Sequence, residues 1–174
     1  MALRGWHIAL IGVGMAVIVL PVLAFIAFVV AIGVWGLDTK VSRGADLPER
    51  HAQAVRAIAG LAPDEQIIYF YSTGIFDPSE DGNLLTDRGV YSWGVDIEES
   101  WLSFARFEHI EDLDLERVDG WMEDSVLTVN ATESIITLVL SAEKGRDKAF
   151  VAEARRRIAA ARPAGPAVEA PMVP

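Results

Sequence analysis

The chain has 174 residues, a formal net charge of -10 and no cysteine, which excludes a disulfide framework and any thiolate metal site. Between Asp77 and Asp124 the bases are Arg88, Arg106 and Arg117 against many acids. Such a surface repels phosphate backbones, so no nucleic-acid partner is expected.

The first element is the run Ile8 to Trp35, which contains no Asp, Glu, Lys or Arg. About 20 apolar residues span a hydrocarbon core as a helix, so the run predicts a transmembrane helix over residues 6–37. A cleaved signal peptide has an apolar region of only about 7 to 15 residues. Trp6 and Trp35 sit near the two ends, where indoles favour the headgroup layer, and Pro21 is expected to kink the middle. Only Arg4 precedes the run, whereas Lys40, Arg43, Arg50 and Arg56 follow it. The positive-inside rule therefore places the following domain in the cytoplasm, held at the plasma (inner) membrane by a single pass.

Residues 38–63 read as a juxtamembrane linker and a short amphipathic helix. Asp46 is the expected N-cap, Pro48 fits the first turn, Val55, Ile58, Ala59 and Leu61 share a face, and Gly60 and Pro63 end the helix. Arg50, His51 and Arg56 are then expected on a solvent face, with Arg50 and Arg56 available to anionic headgroups.

From Glu65 the period changes to that of strands. EQIIYFYS is β-branched and aromatic, and the loop GIFDPSEDGN carries the residues that turns select. NLLTDRGVYSWGVD predicts two strands around Thr86 to Gly89. In ESWLSFARFEHI, Trp101, Ser103, Ala105 and Phe107 alternate with Leu102, Phe104 and Arg106. EDLDLERV alternates acid with aliphatic, and SVLTVNA and ESIITLVLS add two more strands. In FVAEARRRIAAA the residues Phe150, Val151, Ala154 and Ile158 form a helical stripe. The remaining residues, 163–174, are too rich in proline and small residues for a core and are expected to be disordered.

The stretch NLLTDRGVYSW, the acidic FEHIEDLDLE and the final strand pair leading into FVAEARRRIAA together resemble the bacterial pleckstrin-homology-like (PH-like) domains. The resemblance covers residues 64–162 and implies a mainly β domain, an antiparallel barrel closed by a C-terminal helix. It departs from the family's frequent second arginine, since Gly89 follows Arg88.

Chemistry is sparse. His109 beside Glu108, Glu111 and Asp112 is a conceivable divalent-metal cluster, but no paired histidine spacing accompanies it and a solvated turn is expected. No nucleophile elbow, P-loop or dinucleotide fingerprint occurs, so no catalytic residue, cofactor or metal is assigned. Asn130 opens an N-A-T sequon, too short a signal to weigh. The first hairpin loop reads DPSED, which disfavours phosphoinositide binding there on charge. Membrane contact, if made by side chains, falls to Arg50, Arg56, Arg155, Arg156 and Arg157.

The function expected is a membrane-anchored binding or scaffolding module with a protein partner, an accessory subunit of a membrane complex. The alternative is a periplasm-facing anchored adaptor in envelope assembly, and a metal-dependent enzyme using the acidic cluster ranks last.

Overall fold

The structure, a computed structural model, describes residues 19–30, 40–74, 77–96, 99–117 and 124–162. The chain divides into two units, residues 1–37 and 38–174. In the first, residues 19–30 are helical (α1). Its large apolar side chains are exposed, with Leu20 at 65% and Phe25 at 66%. Among the described residues no helix is long and apolar enough to cross a membrane. The rest of the span predicted over 6–37, and the tail 163–174, lie outside the described residues.

The second unit begins with a two-residue strand, β1 (Ser42–Arg43), and the helix α2 (Glu49–Ala59). Strands β2 (Ile67–Tyr71), β3 (Asp81–Thr86), β4 (Gly89–Val95) and β5 (Ser100–Arg106) follow. They form a five-stranded antiparallel sheet in the order β1-β2-β3-β4-β5. Strands β6 (Ile110–Glu116), β7 (Asp124–Ala131) and β8 (Ser134–Ser141) make a three-stranded antiparallel sheet, and α3 (Arg146–Ala161) ends the domain. The domain is therefore mainly β, with antiparallel sheets and a C-terminal helix.

The alternation read from the sequence builds the core directly, because successive strand residues point to opposite faces. Leu85, Val90 and Ala105 from the first sheet meet Leu113, Leu127, Val129, Ile136, Leu138 and Leu140 from the second. The α3 stripe Phe150, Val151, Ala154 and Ile158 completes that cluster. Burying side chains of this kind stabilises by about 1.5–3 kcal/mol each.

The barrel expected from the sequence is not closed. Strands β5 and β6 are consecutive in the chain, yet they belong to different sheets. Between them a single 3-10 turn, Phe107–His109, buries Phe107 and redirects the chain, so the ladder stops there. The two sheets pack face to face, with α3 beside β6.

Helix α2 also differs from its expected face. Its buried residues are His51, Val55 and Ala59, spaced four apart, whereas Ile58 is only half-buried. Pro48 occupies the N-cap position, Asp46 lies in a preceding 3-10 turn, and Gly60 at φ 61° ends the helix in the left-handed region. Phe70, Leu84, Tyr91 and Trp93 are likewise buried but lie outside the core cluster, on the opposite face of the first sheet. The buried α2 residues also lie outside the core cluster.

Candidate interaction surface

The outer face is anchored around the Thr86–Gly89 turn. The Thr86 hydroxyl accepts the N–H groups of Arg88 and Gly89, both at 3.1 Å, and donates to the Gly89 carbonyl at 3.3 Å. Asp87 accepts the Gln66 N–H at 2.9 Å, and Arg88 pairs with Asp64 at 2.6 Å. The TDR triplet thus ties the β3–β4 turn to the chain entering β2. Gly89 is required by close approach, because a Cβ there would lie 2.2 Å from the Ala105 carbonyl oxygen. A second arginine after Arg88 would meet that oxygen.

Buried Glu65 sits behind the turn. It accepts the Tyr91 hydroxyl at 2.9 Å, and its own carbonyl is held by Arg56, which also reaches the Ala62 carbonyl at 3.3 Å. Burial, with the neighbouring Glu65 carboxylate, pushes the Tyr91 phenol above its ordinary range. At the other end of the face, the Trp93 indole lies against Gly82 and Phe70 and donates to the Pro78 carbonyl at 2.8 Å. His51 accepts a hydrogen bond from Arg50 at 3.2 Å. Its pKa is lowered by burial and by Arg50, against an opposing pull from Asp77.

A second polar network closes the N-terminal end of α3. Asp147, fully buried, accepts from Ser125 at 2.9 Å and pairs with Arg117 at 3.0 Å. Its burial alone would raise the carboxyl pKa, but Ser125, the nearby Lys148 N–H and Arg117 hold it below the usual range. Tyr71 donates to Asp124 at 2.8 Å, and its phenol is pushed up by burial and that carboxylate.

Neither helix leaves its arginines idle. Arg155 donates to the Leu113 carbonyl at 3.1 Å and Arg162 to the Glu111 carbonyl at 2.6 Å, so α3 caps the free edge of β6. Arg156 and Arg157 both bind Glu153, whose carboxyl is held down at about 2, chiefly by the Arg156 hydrogen bonds. The five arginines predicted for membrane contact therefore lie on two helices, Arg50 and Arg56 on α2 and the rest on α3, and each already makes a hydrogen bond within the fold. His109 is exposed in the 3-10 turn, where its carbonyl accepts Thr132. Among the described residues no group of His and acids is arranged to hold a metal ion.

Strand β5 stands apart from this well-satisfied surface. Its Trp101, Leu102 and Phe104 are exposed at 46, 50 and 41%, beside Val95 of β4 at 63%. Leu102 and Phe104 lie opposite Trp93 and Tyr91 on the outer face, and Phe104 stacks on Tyr91 with centroids 4.2 Å apart. The outer face of the sheet is thus exposed at its last strand. At the edges of the second sheet, Arg155 and Arg162 hold β6 carbonyls and the Thr137 carbonyl of β8 accepts Ser92. The alternation in ESWLSFARFEHI marks the two faces of β5 but carries no signal for which of them stays bare.

No protein-family model and no curated protein matches the chain. Among solved structures it is similar to a DUF1696 family protein with a pleckstrin-homology domain from Shewanella loihica. The identity is 18%, over 70% of this chain and 94% of that one, at a TM-score of 0.43. It is also similar to a pleckstrin homology domain from Shewanella amazonensis at 14% identity, over 71% of this chain and 93% of that one, again at 0.43.

Proposed function

We propose that the chain is a membrane-tethered interaction module. The run Ile8 to Trp35 holds it by a single pass in the plasma (inner) membrane, and a PH-like domain in the cytoplasm binds a protein partner as part of a membrane complex. Support for the tether is the charge-free length of that run and the Lys and Arg excess after it. Support for the PH-like reading is the order of the elements, two antiparallel sheets in succession followed by a helix along the open side.

The observation that carries the binding role is the exposed apolar strip on β5. A bare edge strand with large apolar side chains is an association site unless it is blunted, and the one charge in this strand, Arg106, stands at its last position. Lipid-headgroup recognition through the β2–β3 loop is disfavoured. Asp77, Glu80 and Asp81 line it, and Asp81 is engaged by Ser72, Thr73 and Gly74.

The test is a photo-crosslinking side chain at Leu102 in the full chain within native membranes, with Asp114 on the exposed face of β6 as control. A protein adduct from Leu102 and none from Asp114 is expected. No adduct from Leu102 overturns the reading.

A further inference from the structure

The occupant of the β5 edge follows from the strand's own register. Backbone bonds fix which groups point outward: Asp96 N–H reaches the Glu99 carbonyl across the hairpin, and Phe107 N–H reaches the Arg88 carbonyl beside β4. In an antiparallel ladder each residue turns its N–H and C=O to the same side, and the side alternates along the strand. Trp101, Ser103 and Ala105 therefore face β4, while Ser100, Leu102, Phe104 and Arg106 turn their backbone groups away from it. No described residue hydrogen-bonds those outward groups.

We infer that a second copy of this chain pairs antiparallel along β5, about a two-fold axis at Ser103. This deepens the reading of the β5 edge as the contact surface and rests on it. The register pairs Ser100 with Arg106 of the other copy and Leu102 with its Phe104, and both pairs recur by symmetry. Every outward group then finds a partner. A shift by one residue would set outward groups against inward ones, and a shift by two would leave groups at both ends unpaired. On the outer face the exposed Leu102 and Phe104 of the two copies become cross-strand neighbours, the arrangement in which apolar pairs stabilise a sheet. On the other face Trp101 meets the small Ala105. Charge fits the same register, because Arg106 is the one Lys or Arg between Arg88 and Arg117. Ion-paired at 3.4 Å with Glu108 of its own copy, it falls opposite Ser100 and beside Glu99 of the other copy. The isologous contact closes at two copies.

The axis gives a direct test. Ser103 of the two copies forms a non-hydrogen-bonded pair with Cα atoms about 4.5 Å apart, inside the range that a disulfide bridges. The chain has no cysteine, so Ser103→Cys introduces a single thiol. The experiment uses the full chain in mild detergent, with mass measured by light scattering and cross-linking under gentle oxidation. Two copies per particle and a Ser103→Cys covalent dimer are expected, with no cross-link from Asp114→Cys. Leu102→Lys removes two cross-strand pairs and places a charge at the edge, raising the dissociation constant about tenfold or more. A single copy at every concentration, a ring of more than two, or a dimer that neither cross-links at Ser103 nor responds to Leu102→Lys overturns the inference. A monomer that still yields a foreign adduct from Leu102 overturns the second copy alone. A monomer with no adduct at all overturns the interaction reading with it.

Discussion

Phe150→Ala probes the packing on which the domain rests. Phe150 is fully buried and sits 6.0 Å from the Tyr69 ring, in one cluster with Leu138, Leu140 and Val151. Its truncation removes the transfer energy of a benzyl group and leaves a cavity that strands from two sheets cannot collapse around. The expected cost is about 3–5 kcal/mol, a large share of the roughly 5–15 kcal/mol that holds such a domain together. A domain of this size should lose roughly 10–25 °C in melting temperature. Near-UV circular dichroism against temperature reads the loss, and Phe150→Leu, which retains most of the volume, should lie much closer to wild type. A Phe150→Ala melting curve that overlays wild type would mean α3 does not seal the two sheets.

Three further outcomes follow from other parts of the molecule. Gly89→Arg should destabilise by about 1–3 kcal/mol or more through overpacking against the Ala105 carbonyl, measured by urea denaturation. His51 is held neutral in the fold, so its contribution is fully present above the unfolded pKa of 6.5 and is lost as pH falls through that value toward the lower folded one. Urea midpoints should therefore drop between pH 7 and 5, and His51→Gln should flatten that dependence; equal slopes in both proteins would refute it. The full chain should stay in the membrane pellet after alkaline carbonate treatment, and its release would refute the tether.

Much of the fold was legible because strand alternation and the α3 stripe are local periodicities that burial leaves unchanged. Phe150, Val151, Ala154 and Ile158 lie where the 3.6-residue period puts them. Helix α2 differs at His51 because burial there depends on tertiary packing, and hydropathy alone assigns a histidine next to Arg50 to solvent. Arg56 and Arg155 had the same ambiguity: sequence shows the charge, whereas the Glu65 and Leu113 carbonyls that hold them lie in other elements. The barrel failed to close at Phe107–His109, a three-residue turn with no glycine or proline to mark it. Buried Glu65 and Asp147 were invisible for a related reason, since their partners Tyr91 and Arg117 are separated from them by 26 and 30 residues.

Amide hydrogen exchange along β5 reads whether its outer edge is paired. The outward N–H groups of Leu102 and Phe104 have no partner within the described chain, whereas those of Ser103 and Ala105 face β4. In the full chain in mild detergent, occupied edges should protect Leu102 and Phe104 nearly as well as Ser103 and Ala105. In Leu102→Lys the protection of Phe104 should vanish while that of Ser103 and Ala105 persists. Rapid exchange at Leu102 and Phe104 in the wild-type protein would show an edge that nothing covers, and would contradict its role as the contact surface.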